Sequence, residues 1–409
     1  NTNIKGLFYA DDIILISGTK EDLQHMLNTA DMFGMKWGLN FNERKSQILI
    51  IGKKLSHTSE WQLGDKLLKE TNCYKYLGVT VNRLLSDSTH IKESLKEKGI
   101  KLASYIRFTL AKNLDVKRVH LGDTLWNKVV LPTLAHGAGV WFNDNPSHRN
   151  TLESIQYKCA KGVLKLQCMP ARKALLYDLG WENIIDHLNI SRIKYFNRLL
   201  QMEDNHLTKI IFNAMKANFL STNQEHFKYF SNIKSICTGI GLDHLSNFNS
   251  TINVQTCKGL MVEQQEIHRL DDHSSLSLYV TLRSNSMAAP YLYSSNSFKG
   301  CQLKFKLRSG TLGLGSDLKR QHRGDGFCSF CKCFESVKHF IFACPMYNGL
   351  RQDLFQNIND SYGPIALSDI LRDWDLGVKL FLGDHDDHFN RHFCIFLSRA
   401  WSYRNTSSV

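Results

Sequence analysis

The stretch that most constrains the fold is GLFYADDIILI at residues 6–16. An apolar run on each side flanks Ala10-Asp11-Asp12, a pattern that predicts a buried β-hairpin with its acids at the turn. Charges held beside a buried hairpin are costly unless they are paired or bind a metal ion. Because Mg²⁺ prefers carboxylate oxygens, we expect Asp11 and Asp12 to hold Mg²⁺. The alternative is an ordinary turn, since Asp is common in turns.

A helix and several strands are predicted to follow. Thr19 can cap a helix of apolar residues at helical spacing, and Gly38 suits its C-terminal cap. Residues 47–51 and 74–81 are each predicted to form a strand, with residues 61–68 as a candidate partner strand between them.

The rest of the chain is predicted to be mainly helical. Apolar residues recur at helical spacing from about residue 90, and the 6 prolines among 409 residues permit long helices. Residues 217–300 are polar and rich in Ser and Asn, so we expect a loose helical connection with long loops there. The expected fold class is α+β.

Charge and cysteine usage restrict the class of protein. Lys and Arg total 51 against 38 Asp and Glu, and a basic folded chain favours polyanions such as nucleic acid, although solubility explains the charge as well. Most of the 11 cysteines are isolated, which indicates a reducing intracellular compartment, nuclear or cytoplasmic, and not a secreted disulfide framework. No run of about 18 apolar residues occurs, so we expect no membrane-spanning helix.

The segment CSFCKCFESVKHFIFAC has the spacing of a metal site. Cys328, Cys331, His339 and Cys344 supply the ligand set of a closed tetrahedral Zn²⁺ site, which is structural because no coordination position stays open. One short helix can present both His339 and Cys344. Cys333 is a competing ligand, although Cys-x2-Cys wraps a tetrahedral metal with less strain. Chance clustering of reduced cysteines is the alternative.

A run of acids and histidines at residues 384–388, DHDDH, is a weaker signal. Short runs of this kind are usually exposed loops. An exposed loop, and not a metal site, is therefore expected there.

Tyr9-Ala10-Asp11-Asp12 resembles the YxDD box of the reverse transcriptase palm, in the YADD form usual for LINE-type, or non-LTR, retrotransposons such as the jockey-like elements. The resemblance implies that Asp11 is the firm Mg²⁺ ligand, that Asp12 assists, and that Tyr9 and Ala10 lie near the primer terminus. In nucleotidyl transfer two such ions activate the attacking hydroxyl and steady the leaving group.

Two further boxes follow in the family's order. Residues 38–42, GLNFN, with Lys45 after them, resemble the next box, in which Lys45 would act as an acid on the leaving pyrophosphate. A solvated turn lysine explains Lys45 equally well. Tyr76-Leu77-Gly78 resembles the hairpin that grips the primer backbone, where the missing Cβ of Gly78 lets another backbone approach. An ordinary strand glycine is the alternative.

The cysteine–histidine segment resembles the family too. Non-LTR reverse transcriptases carry a CCHC module after the thumb, often with Glu before the His and Cys-Pro at the end, as Glu335 and Cys344-Pro345 stand here. Basic residues before the module are predicted to form a phosphate-backbone surface, with a solvated loop as the alternative. They are Lys304, Lys306, Arg308, Lys319, Arg320 and Arg323.

The resemblance predicts five consecutive regions. They are the C-terminal part of a palm (1–85), a helical thumb (86–145), a helical connection (146–300), the basic segment with a small CCHC zinc module (301–350) and C-terminal helices (351–409).

The intact enzyme of the family is an RNA-directed DNA polymerase that takes an RNA template, a DNA primer and dNTPs, and Mg²⁺ as cofactor. A third metal-binding Asp, a nucleotide-selecting box and the fingers would precede residue 1, as would an endonuclease segment. Two carboxylates cannot organise the two-metal site alone, so the isolated chain is expected to be inactive. The alternative is a non-catalytic, zinc-containing nucleic-acid-binding protein derived from such an element.

Overall fold

The structure is a computed structural model. It describes residues 4–52, 60–111, 117–222, 228–243, 248–265, 276–282, 287–294, 297–384 and 387–406. The chain divides into two compact units, Asn1–Ser94 and Leu95–Val409, and each is described by itself.

The first unit combines short strands with one long helix. Its elements are β1 (Gly6–Tyr9), β2 (Asp12–Leu15), α1 (Lys20–Trp37), β3 (Gln47–Leu49), β4 (Trp61–Leu63), β5 (Lys66–Thr71), β6 (Cys73–Tyr76) and β7 (Val79–Asn82), with a π-helix at His90–Leu95. Strands β1 and β2 form an antiparallel hairpin, as do β6 and β7. In the three-stranded sheet, β5 lies between β3, to which it is parallel, and β4, to which it is antiparallel.

Helix α1 covers the three-stranded sheet and has the predicted caps. Thr19 Oγ1 accepts a hydrogen bond from Asp22 N at 3.2 Å. The helix ends at Gly38, which adopts the left-handed conformation at φ 66°. The buried core between helix and sheet consists of Leu27, Ile48, Trp61, Leu63 and Leu68.

The strand predicted at residues 74–81 is two strands. Tyr76 pairs with Val79, and between them Leu77 and Gly78 have φ values of 45° and 87°. Positive φ at both central residues is typical of a type I′ hairpin turn, which requires glycine-like freedom. The single-strand prediction is therefore wrong, because the apolar side chain of Leu77 concealed the turn.

The β1–β2 hairpin is present, but the prediction that it is buried is wrong. Phe8 is 72% exposed, Tyr9 63% and Ile13 43%. Leu15 is the hairpin residue that packs against the core under α1. A two-stranded hairpin has no second layer of its own to bury an apolar face against, so these side chains face solvent in this unit.

The second unit is helical. Its α-helices are α2 (Lys96–Ala111), α3 (Lys117–Leu125), α4 (Leu131–Ala135), α5 (Ala138–Trp141), α6 (Pro146–Val163), α7 (Arg172–Leu179), α8 (Ile184–Gln201), α9 (Leu207–Thr222), α10 (Lys228–Gly239), α11 (Val254–Gln265), α12 (Ser277–Leu282), α13 (Pro290–Ser294), α14 (Phe298–Arg308), α15 (Gly315–Arg320), α16 (Asn348–Tyr362), α17 (Pro364–Arg372), α18 (Trp374–Leu382) and α19 (Asp387–Thr406). Short π-helices occupy Trp126–Val130 and His339–Ala343.

Close helix packing and stacked rings build the first part of this unit. A Cβ added at Gly99 of α2 would lie 2.5 Å from Cδ1 of Ile155 on α6, so glycine lets the two helices approach. Trp126 stacks on Trp181 with ring centroids 4.7 Å apart.

The expectation of a loose connection at residues 217–300 is wrong for the part that the structure describes. Phe230, Phe248 and Cys257 are fully buried there, and the rings of Phe230 and Phe248 meet edge to face at 5.2 Å. On α10 the buried Phe230, Ile233 and Cys237 recur at helical spacing, and the ring of Phe248 joins them from outside that helix. The polar, Ser- and Asn-rich composition of the segment concealed this short apolar stripe.

The cysteine–histidine segment shares its core with the C-terminal helices. One hydrophobic cluster joins Cys328 and Cys344 to Phe340, Phe393 and Phe396. The segment is thus packed into the helical unit and is not an appendage to it. None of the described helices is long and apolar enough to cross a membrane.

Buried charges connect α7 with α14 and the residues after α18. Arg308 Nη2 lies 3.2 Å from Asp178 Oδ1, and Arg308 Nη1 lies 2.9 Å from Asp384 Oδ1. The hydroxyls of Tyr279 and Tyr291 donate to Asp178 at 2.8 and 2.6 Å. Asp384, expected in an exposed loop, is therefore largely inside, whereas the side chains of residues 385–388 lie outside the described part of the chain.

Lys304 is buried one helical turn from Arg308. Its Nζ donates to Gly383 O at 2.9 Å and to Asn390 Oδ1. Burial, helped by the charge of Arg308, lowers the pKa of Lys304 to about 7.

Replacing Asp178 by alanine is expected to lower the free energy of unfolding by about 3–5 kcal/mol, because buried Arg308 loses a fully buried partner. Urea denaturation followed by circular dichroism measures the change. Asp353→Ala is the matched control, since its pair with Arg399 is exposed on both sides and should contribute less than about 1 kcal/mol. Equal losses in the two variants would contradict the account.

Stability is expected to rise with pH through Lys304. Its pKa is about 7 in the folded chain against 10.5 ordinarily, so between these values the unfolded state binds a proton that the folded state lacks. The contribution of Lys304 to the free energy of unfolding is therefore greatest above pH 10.5 and is lost as the pH falls toward 7. Unfolding of the wild type and of Lys304→Met, compared across this range, should show the wild type gaining on the variant as pH rises. A difference that does not change with pH would refute the assignment.

Candidate functional site

The acidic residues lie at the tip of the β1–β2 hairpin. Tyr9 pairs with Asp12, which leaves Ala10 and Asp11 as the two turn residues. Ala10 has φ 51°, in the left-handed region that tight hairpins need at this position. Asp11 and Asp12 are both exposed. The turn therefore presents adjacent carboxylates to solvent.

Because Asp11 and Asp12 are exposed, they do not need a metal ion to offset a cost of burial. The cost of burying unpaired carboxylates, on which the sequence-based prediction relied, does not arise at Asp11 and Asp12 in this structure. The chemistry of the donors remains: neighbouring carboxylate oxygens are the ligands that Mg²⁺ prefers, and Mg²⁺ keeps further positions for water and phosphate.

Lys45 and the β6–β7 hairpin lie together. Asn42 Oδ1 accepts hydrogen bonds from Arg44 N at 3.0 Å and Lys45 N at 3.3 Å, which forms the turn before β3. The Lys45 carbonyl in turn accepts from Tyr74 Oη at 3.0 Å. The Lys45 side chain is exposed, and Leu77 is 40% exposed at the hairpin turn.

The structure does not join these residues to the acidic turn. Among the described residues, no hydrogen bond or ion pair connects Asp11 or Asp12 with Lys45. The acidic hairpin reaches the core of its unit through Leu15. The predicted catalytic set therefore lies in one unit but on separate loops.

The cysteine–histidine cluster closes as predicted. One ligand atom from each of Cys328, Cys331, His339 and Cys344 lies within 4.8 Å of the others. The Sγ atoms of Cys328 and Cys344 are 3.9 Å apart, and Cys331 Sγ lies 3.3 Å from His339 Nε2. Ligand atoms on a tetrahedral zinc are roughly 3.5–3.8 Å apart, so the residues fit such an ion.

A short β-bridge and a tight turn position the first two cysteines. Phe327 bridges to Phe334, and Cys328 N donates to Cys333 O at 2.8 Å. Cys333 thus closes the turn through its backbone, while its side chain is exposed and stands outside the four-residue group. Lys332, at φ 60°, completes the turn in the left-handed conformation.

A π-helical turn positions the other two ligands. Cys344 N donates to His339 O at 2.8 Å, five residues back, so both side chains leave the same side of the turn. Arg351 supports it from α16, with Nε donating to Ile341 O and Nη2 to Cys344 O, both at 2.8 Å. His339 begins this short helix and Cys344 follows its last residue as the C-terminal cap.

Burial shifts the pKa of two ligands in the cluster. Burial lowers the pKa of His339, which favours the neutral imidazole that ligates metals. Burial also raises the pKa of the Cys344 thiol to about 12. A buried thiol of this kind becomes a thiolate when a cation compensates its charge.

An ion pair that the sequence pattern does not indicate anchors this segment. Buried Glu335 accepts from Gly315 N at 2.7 Å and from Arg404 Nη2 at 2.9 Å. The Arg404 side chain comes from α19, 69 residues away. No local pattern at either position indicates such a pair, because it depends on the path of the whole C-terminal chain.

The predicted phosphate-backbone surface is partly wrong. Lys304 and Arg308 are fully buried, since α14 runs through the core and their cations bind carbonyl and carboxylate groups there. Lys319, Arg320 and Arg323 are exposed. Composition indicated the charge but not which face of α14 is buried.

Comparison with known proteins agrees with the sequence resemblance. Residues 1–81 match the family described as reverse transcriptase (RNA-dependent DNA polymerase). The chain is 23% identical over 199 residues to the RNA-directed DNA polymerase from mobile element jockey of Drosophila melanogaster, an alignment that covers 47% of this chain and 21% of that protein. It is 22% identical over 197 residues to the probable RNA-directed DNA polymerase from transposon X-element of the same organism, covering 47% and 22%.

The resemblance to reverse transcriptases of non-LTR retrotransposons is thus confirmed for about half the chain. The alignments span about a fifth of the length of these relatives. No solved structure matches the chain.

Cys331→Ser is expected to lose bound zinc, whereas Cys333→Ser is expected to keep about one zinc ion per chain, because only Cys331 is in the ligand group. Mass-spectrometric metal analysis of the purified variants measures the stoichiometry. Loss of zinc from Cys333→Ser at a yield and fold equal to the wild type would show that the ligand set is misassigned.

Proposed function

We propose that this chain contributes the metal-binding turn of the palm, and the regions after it, to an RNA-directed DNA polymerase of a non-LTR retrotransposon. The observation that carries the proposal is the exposed Ala10-Asp11 turn with Asp12 beside it, within residues 1–81 that match the reverse transcriptase family. Asp11 on the turn and Asp12 beside it both face solvent, so their carboxylates are accessible to a primer end and a triphosphate.

Each residue then has a definite task. Asp11 is the principal Mg²⁺ ligand, and Asp12 assists it. When bound, the ions activate the attacking hydroxyl and steady the leaving group. Tyr9 and Ala10 lie against the primer terminus, and Lys45 neutralises or protonates the leaving pyrophosphate.

The β6–β7 turn positions the primer. Tyr76, Leu77 and Gly78 hold its backbone, and the left-handed Gly78 brings main-chain atoms close to it without a Cβ between them. The partners are an RNA template, a DNA primer and dNTPs. Residues 1–85 act as palm, 86–145 as thumb and 146–300 as connection.

The cysteine–histidine cluster holds a structural Zn²⁺. Four protein ligands fill a tetrahedral shell, so the ion stabilises the fold of residues 301–350 and the helices at 351–409 and takes no part in chemistry. The cysteines, most of them isolated in the sequence, fit a reducing, intracellular compartment, nuclear or cytoplasmic.

A second function is favoured by a separate observation. Exposed phenylalanines and cations surround the cluster, which suits a non-catalytic nucleic-acid-binding module. Cys328→Ser should then abolish RNA binding, while Asp11→Ala should leave it unchanged.

Asp11→Asn is expected to reduce primer extension on an RNA template by on the order of a thousandfold, since several kcal/mol of metal-mediated charge stabilisation are lost. The assay uses residues 1–409 joined to an upstream palm segment that supplies the third carboxylate. Asp65→Asn, a change in the turn between β4 and β5, is the matched control and should retain activity. Extension that survives Asp11→Asn would refute the polymerase proposal.

A further inference from the structure

Three phenylalanines stand exposed around the cysteine–histidine cluster, and we call Phe327, Phe330 and Phe334 the aromatic face. They are 49%, 59% and 48% exposed. Leaving three large apolar rings in solvent on one small segment forgoes hydrophobic stabilisation, which indicates an interaction surface.

Strand alternation explains why these rings face outward. Phe327 and Phe334 are partners in the β-bridge, so their side chains lie on the same side, with ring centroids 6.4 Å apart and planes at 89°. The next residue along each strand, Cys328 or Glu335, is buried on the opposite side. Cys328 and Glu335 therefore face the core, and the rings of Phe327 and Phe334 face solvent.

Packing accounts for two of the rings but not for the third. The contact between Phe327 and Phe334 stabilises the bridge itself. Phe330 lies in the turn between them, is the most exposed of the three, and contacts no other ring among the described residues.

Cations surround the aromatic face. Lys319 Nζ lies 5.7 Å from the ring centroid of Phe334. Lys332, in the same turn as Phe330, and Arg323 are exposed. The carboxylate of the nearby Asp325 accepts a hydrogen bond from Phe327 N at 2.9 Å, which partly offsets its negative charge.

We propose that the aromatic face binds single-stranded nucleic acid, with bases stacked on Phe330 and on the Phe327–Phe334 pair and phosphates on Lys319, Arg323 and Lys332. Rings interleaved with cations match a strand that alternates bases with phosphates. A duplex offers the phosphates but hides the faces of its bases, so single strands are preferred. The inference rests on the nucleic-acid-binding function proposed for this module and does not depend on polymerase activity.

The test measures binding of the zinc-loaded full chain to fluorescent oligouridylate and oligothymidylate of about 20 nucleotides, and to a duplex of equal length, by fluorescence anisotropy. Single strands should bind more tightly than the duplex. Phe330→Leu, which keeps an apolar side chain but removes the ring, should weaken single-strand binding by on the order of tenfold, and Phe330→Tyr should restore it. Phe33→Ala, which removes a 54% exposed phenylalanine of the first unit, is the control and should bind like the wild type.

Zinc analysis of every variant separates loss of the ring from loss of the fold. Phe330→Leu binding as tightly as the wild type, while Cys328→Ser binds poorly, would overturn stacking and leave the module's nucleic-acid role intact. Equal affinity for duplex and single strands would also overturn it. Dissociation of a dimer by Phe330→Leu in sedimentation velocity would overturn it in favour of a second copy of the chain. Full binding by Cys328→Ser would instead remove the module's proposed function.

Discussion

In the C-terminal part of the chain, whose core runs from Leu282 to Ala400, four ligand atoms lie within 4.8 Å of one another. Two come from a tight turn and two from a π-helical turn, and neither motif has an apolar core of its own. Cys328 and Cys344 nevertheless lie inside the cluster that joins α14 to the last helices. The ligand group and the surrounding helices therefore share one core.

The first unit follows a different logic. Its three-stranded sheet and α1 form a small core, while the acidic hairpin and the end of α1 expose large apolar side chains, including Phe8 at 72% and Met35 at 74%. The hairpin tip reaches beyond the core, so its carboxylates stay accessible to solvent. The residues that stabilise this unit and the proposed metal-binding residues therefore lie in separate parts of it.

Features set by neighbours in sequence were predictable. The caps at Thr19 and Gly38, the two-residue acidic turn and the four-residue ligand group follow from residue types at short spacings. Features set by distant partners were not. Arg308 looked like a surface cation because its partner Asp178 is 130 residues away in sequence. The burial of the acidic hairpin was overestimated because apolar strand residues predict that a strand packs against another element. They do not indicate whether such an element is present.

The ion pair between Glu335 and Arg404 makes the cysteine–histidine cluster sensitive to truncation of the coding sequence. Arg404 lies in the last turn of α19, close to the end of the described chain, yet its guanidinium contacts a carboxylate beside the first ligands of the cluster. A premature stop codon a few positions upstream would spare all four ligands and still leave Glu335 as a buried charge without its cation. Mutations that shorten the coding sequence from its 3′ end would therefore destabilise the cysteine–histidine cluster before any ligand codon was lost.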